Sequence, residues 1–355
     1  MRKLVIDRAA IKNNLTVIKD RAAGAAIYGV LTGDGQGVGT AALAQLLRDE
    51  GIGRFAVSEV SEAEALRQAG FVDEEILMLR ATTDREELER LVDLNVVCTV
   101  SSVDTGMALN ALAGNRSTVA EAHIQVDTGM GFGGFLVSEP EKLLLAYRSM
   151  PNVALSGVYT QLHAARPNDP QAKRQLEQFQ LALDAIHQAG FETGAVHAAG
   201  SFALLHGLAP ELDGVRAGSA ILGRCRRTRD DGLKTVGFGQ APLTEVRWLP
   251  KGHVLGVDRP VTLKKPTRVA VLPVGYQNGF GITRPRETGL LAAIARWRKN
   301  NRRTVRLGSQ RARVLGGLGA SELILDVTDV KCSVGDLATF EIDPLFARGF
   351  QVEFR

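Results

Sequence analysis

Short apolar runs, each followed by a stretch with apolar positions at helical spacing, fill the first two thirds of this chain. AAIYGVL, RFAVSE, EILML, VVCTV, EAHIQVD, LSGVYTQ, AVHAAG and GVRAGSAIL have the length and content of buried strands. Between them, SEAEALRQAG and QAKRQLEQFQLALDAIHQAG are amphipathic at a helical period, and Gly51, Gly70 and Gly190 stand where helices end. Eight strands alternating with helices predict a parallel (β/α)8 barrel. A doubly wound open sheet is the competing topology, and the count of eight favours the barrel. After residue 234 the pattern changes. PLTEVRWL, HVLGVDRPVTL, TRVAVLPVG, ELILDVTDV and DLATFEID are strand-like and separated by turns, with one helical stretch, LLAAIARWRKN. The expected organisation is an α/β barrel over residues 1–234 and a mainly-β domain over residues 235–355, packed directly together.

Composition adds bounds rather than a function. Of 355 residues, 45% are hydrophobic and 23% charged, the balance of a globular protein. The net charge is +4 and the isoelectric point about 9.0. Basic residues are scattered except at Arg296, Arg298, Lys299, Arg302, Arg303, Arg306, Arg311 and Arg313, and aromatics are only 5%. The expectation is therefore a solvated basic face and no nucleic-acid partner. Cys98, Cys225 and Cys332 are isolated, which fits a reducing compartment, and the six histidines show no ligand spacing, so no metal site is expected. No stretch has the pattern of a signal peptide or a membrane span, and the expected location is cytoplasmic, with no membrane partner.

In a parallel barrel, chemistry collects where strands end. The residues there are Thr32 and Gln36, Ser58 and Glu59, Asp127 to Phe132, Gln161 and His163, His197 to Ser201, and Arg216 to Ser219. The stretch GDGQGVG puts glycines at 33, 35, 37 and 39, so the backbone there can approach a ligand closely. No Lys-Ser/Thr pair follows, which excludes a P-loop, and the glycine spacing is not that of a dinucleotide fold. Asp127, in DTGM, is expected to form a turn rather than serve as a base.

Across nearly its whole length the chain resembles the fold-type III alanine racemases, which depend on pyridoxal phosphate. VIDRAAIKNNL, RFAVSEVSEAEALRQAG, VDTGMGFGGF, LSGVYTQLHAA, VHAAGSFAL, GVRAGSAILG and LPVGYQNGF follow that family's order and spacing. The resemblance implies a dimer in which the β domain of one chain faces the barrel mouth of the other. It also implies a cofactor held as a Schiff base on a lysine, in a stretch resembling VVKANAYGHG. Here that stretch is VLTGDGQGVG: Thr32 takes the place of the lysine and Gln36 that of a phosphate-binding tyrosine. No lysine occurs between Lys19 and Lys142. A threonine hydroxyl forms no Schiff base and is no base near neutral pH.

Other positions depart in the same direction. Phe132 replaces an arginine at the cofactor's phenolic oxygen, and Gln161 a histidine that orients the arginine beneath the pyridine nitrogen. Gly317, Gly319 and Ala320 replace an arginine, a serine and a methionine, and Gln277 and Asn278 an alanine and an aspartate. Ser201, Arg216, Gly218 and Ser219 match the cofactor-binding set, leaving a vestigial pocket, and Tyr276 matches the second catalytic base, donated across the dimer interface. Arg216 is expected to be buried against a carboxylate, Gln161 or a bound anion.

The expected function is an alanine racemase-like pseudoenzyme, with no covalent cofactor and a pocket for a small anion or amino acid. Two alternatives stay open. One is an active alanine or serine racemase using pyridoxal phosphate in a noncanonical way. The other is a non-catalytic dimer partner that lends Tyr276 to an active paralogue.

Overall fold

Eight short, largely buried runs pair in parallel because each is apolar on both sides, the signature of strands covered by helices. In the computed structural model, which describes residues 1–163, 169–208, 211–225, 231–256, 260–283 and 303–355, they are β2 (Ala26–Val30), β3 (Arg54–Val57), β4 (Glu75–Met78), β5 (Cys98–Val100), β6 (Ala120–Asp127), β8 (Val153–Tyr159), β9 (Ala195–Gly200) and β10 (Gly214–Ala217). They follow β1 (Lys3–Ile6) in the chain, and a two-residue β7 (Phe135–Leu136) adds to β6. The order is β4-β3-β2-β10-β9-β8-β6-β5, every pairing parallel. An isolated parallel bridge between Leu77 and Val97 joins β4 to the segment entering β5, bringing the ends of the sheet together as a barrel. Tyr28, Ala56, Leu77 and Val97 form one buried cluster of this unit.

The second sheet has nine strands: β12 (Glu245–Leu249), β15 (Thr267–Leu272), β18 (Leu323–Asp326), β17 (Gln310–Leu315), β16 (Thr304–Leu307), β19 (Leu337–Glu341), β11 (Phe238–Pro242), β1 and β20 (Gln351–Phe354), in that spatial order. A separate hairpin pairs β13 (Val254–Leu255) with β14 (Val261–Thr262). LLAAIARWRKN lies outside the described residues.

Contacts divide the chain into two compact units, Ala9–Thr235 and Met1–Arg8 with Val236–Arg355. This differs from the 1–234 and 235–355 division at the amino terminus. β1 pairs antiparallel with β11 and parallel with β20, so the first eight residues belong to the β unit. No local pattern in KLVI could announce partners more than 230 residues away.

Candidate active site

At the end of β2 the chain makes a left-handed turn. Gly33, Asp34, Gly35 and Gln36 all have positive φ, between 53° and 74°. For Asp34 and Gln36 this conformation costs roughly 1–2 kcal/mol each, so other contacts must hold it. The Asp34 N–H donates to Glu62 Oε1 at 3.1 Å, and Asp34 Oδ1 accepts from the Thr40 N–H at 3.0 Å. The buried Gln36 amide donates to the Thr32 carbonyl at 2.9 Å and to Thr32 Oγ1 at 3.1 Å. Glu62 also caps the Val60–Gln68 helix: its Oε2 accepts from the Ser58 and Glu59 N–H groups. One buried carboxylate thus ties the turn after β2 to the turn after β3. Glu62→Ala strips three backbone donors of their acceptor. The expected loss is about 2 kcal/mol, read as a lower melting temperature and faster amide exchange at Asp34.

Beneath this turn lies a chain of hydrogen bonds. The Arg216 guanidinium is 4% exposed, and its contacts are all to neutral acceptors. Nη1 lies 2.5 Å from His197 Nδ1, and Nη2 donates to the Thr160 carbonyl at 2.7 Å and to Gln161 Oε1 at 2.8 Å. Gln161, one of the expected partners, is thus in contact with Arg216. Arginine can only donate, so His197 Nδ1 must accept. Neutral His197 then carries its proton on Nε2 and donates it to His123 Nδ1, 3.0 Å away. The His197 ring stacks between Tyr28 and Tyr159, each at 5.0 Å, and Arg216 lies over the Tyr159 ring. Burial, with the positive charges of Arg216 and Arg54 adding to it, pushes His123 down to about 4. His197 is also lowered, by burial first and then by Arg216 and His123. Burial lowers Arg216 to about 10, which leaves it cationic at neutral pH.

Around the mouth, the Ser201 hydroxyl accepts from the N–H groups of Gly218, at 2.9 Å, and Ala220, at 3.2 Å. Ser201 and Gly218 therefore do meet, but the hydroxyl itself occupies the two backbone donors. Ser219 is half-buried and its carbonyl accepts from the Arg224 N–H. Phe132 is 76% exposed on its glycine-flanked loop. Asp127 holds that loop, its Oδ1 accepting from the N–H groups of Gly129, Met130 and Gly131. Tyr276 belongs to the β unit, half exposed at the start of the Tyr276–Asn278 turn, and its N–H donates to the Gly319 carbonyl.

Sequence reasoning passed over His123, Glu62 and Gln175. Gln175 Oε1 accepts from the His163 N–H, and its amide donates to Thr128 Oγ1 and the Gln161 carbonyl. A histidine inside the apolar run AEAHIQV was the available signal for His123, and the capping-box spacing of Glu59 and Glu62 at the start of a helix that for Glu62.

The alanine racemase N-terminal domain family matches residues 6–225, and the alanine racemase C-terminal domain family residues 239–343. An alanine racemase of Geobacter sp. (strain M21) is 27% identical over 345 residues, 94% of this chain and 86% of that protein. An alanine racemase of Desulfosudis oleivorans is 30% identical over 78% of this chain and 74% of its own length. Among solved structures, the alanine racemase of Clostridium difficile 630 superposes with a TM-score of 0.86 at 21% identity, covering 100% of this chain and 95% of that one. The Bartonella henselae alanine racemase, solved with covalently bound pyridoxal phosphate, gives 0.85 at 20% identity, covering 100% and 99%. This chain belongs to the alanine racemase family.

Proposed function

We propose that this family member does not racemise by covalent cofactor chemistry and uses its barrel mouth to bind a small anion or amino acid. Thr32 carries the proposal. It stands just after β2 with a hydroxyl and a carbonyl already engaged by Gln36, and a hydroxyl offers no amine for a Schiff base. The lysines of the barrel unit are no substitute: Lys12 and Lys19 pair with Glu50, Lys142 pairs with Glu139, Lys173 sits on the Pro170–Gln188 helix, and Lys234 follows β10. The remaining residues do not fit pyridoxal phosphate as a resident group. The two N–H groups at Gly218 and Ala220 are taken by Ser201, and the buried amide of Gln36 turns toward Thr32. What the pocket does keep is the positive charge of Arg216, with no carboxylate among its hydrogen-bond partners in the described residues. A buried cation of this kind favours an anionic group nearby. We further propose that the chain is a cytoplasmic homodimer of the kind its sequence resemblance implies.

The test is the visible absorbance of the purified chain after incubation with pyridoxal phosphate and desalting, beside the Thr32→Lys variant, with alanine racemisation assayed on both. The expected result is no retained cofactor band and no racemisation above background for the unmodified chain. A persistent band in that chain would show another anchoring amine, and the proposal would be wrong.

A further inference from the structure

The β unit carries 22 Lys and Arg against 11 Asp and Glu, while the barrel unit carries 21 against 28. The modest charge of the whole chain conceals two units of opposite sign. The excess is concentrated by strand register. β16 and β17 form a hairpin in which Arg306 pairs directly with Arg311 and Thr304 with Arg313. Cross-strand partners share a face, so the three arginines stand together. All three are exposed, while Val305, Leu307 and Ala312, on the other face of the hairpin, are buried.

Like charges directly opposite on a sheet repel. Among the described residues, none of the three guanidinium groups has an ion-pair or hydrogen-bond partner. The carboxylate that register places nearest, Asp326 opposite Arg313, is engaged instead by the Thr328 hydroxyl and N–H. An arrangement that costs stability and satisfies nothing inside the protein is explained by a polyanion outside it.

We propose that this hairpin face binds the phosphate backbone of duplex nucleic acid, without base recognition. Arginine suits phosphate because its planar fork donates two parallel hydrogen bonds. β16 and β17 contain no aromatic residue, so a single strand would find no ring on which to stack its bases. Sequence reasoning weighed the basic stretch as solvated surface. It could not see that the register collects Arg306, Arg311 and Arg313 onto one face and leaves them unpaired.

The experiment is fluorescence anisotropy of the full chain with a labelled random-sequence duplex of about 20 base pairs, titrated between about 50 and 200 mM salt. Three phosphate contacts give a slope near −2.7 in log affinity against log salt, about a 40-fold loss over that range. The triple variant R306Q/R311Q/R313Q is expected to bind at least about 10-fold more weakly at low salt, with the slope flattened by about that amount. Its melting temperature should be unchanged or raised, since repulsion is removed. The matched variant R148Q/K173Q/R174Q, which removes three exposed barrel cations, should bind as the parent does. The proposal fails if the triple variant binds like the parent, or if the duplex does not bind at low salt. It also fails if polyglutamate or phosphatidylserine vesicles bind more tightly than the duplex at equal charge, since the partner would then be an acidic protein or a membrane.

Discussion

Arg216→Ala is expected to lower stability by about 4 kcal/mol and the melting temperature by roughly 10 °C. Two losses combine. The side chain fills space inside the barrel that its neighbours cannot fully collapse into. Its removal also strands His197 Nδ1 and the Thr160 carbonyl, whose donors are the two guanidinium nitrogens at 2.5 and 2.7 Å. A buried acceptor that loses a charged donor costs about 1–3 kcal/mol or more. Three substitutions separate the terms. Arg216→Met restores most of the volume and none of the donors. Arg216→Lys restores the charge and some donors, but a single ammonium cannot reach both acceptors as the fork does. Thermal melts should rank wild type above Lys, Lys above Met, and Met above Ala. Met as stable as wild type would mean that packing alone accounts for Arg216 and that its hydrogen bonds contribute nothing net.

How much of this was readable from residues alone follows from what is local. The eight barrel strands were legible because each is a short apolar run bounded by helical periodicity. The joining of β1 to β11 and β20 was not, because it depends on partners at the far end of the chain. The β16–β17 hairpin was passed over because arginines at 306, 311 and 313 mask the alternation of Val305, Leu307 and Ala312. At the site, the change from lysine to Thr32 is a statement of composition and needs no coordinates. The left-handed turn that presents Thr32 does need them. Glycines at 33 and 35 hint at positive φ, but Asp34 shares it because Glu62 and Thr40, on separate helices, bond to it, and Gln36 because its amide bonds back to Thr32. The proton arrangement of His197 and His123 follows from a distance to Arg216 that no sequence pattern encodes.

That proton arrangement yields a second large effect, in pH. Both histidines are neutral in the fold, and each uses its Nδ1 as an acceptor. Protonating His197 would set an N–H against the Arg216 donor, and protonating His123 would set one against His197 Nε2. The folded proton affinities are accordingly low: His123 sits at about 4, and His197 is also well below the usual 6.5. Once unfolded, both return to about 6.5. As pH falls below 6.5 the unfolded chain takes up protons that the folded chain refuses, so stability falls with pH across this window. Each histidine contributes up to about 1.4 kcal/mol per pH unit, and His123 alone about 3 kcal/mol by pH 4. Urea unfolding at steps from about pH 7 to 5, above the range where ordinary carboxylates titrate, should show uptake of about two protons on unfolding. His123→Gln retains an acceptor oxygen facing His197 without a titrating ring, and should reduce the uptake to about one. If the slope is the same in both proteins, His123 is already protonated in the fold, and the chain of hydrogen bonds from Arg216 does not run as its distances indicate.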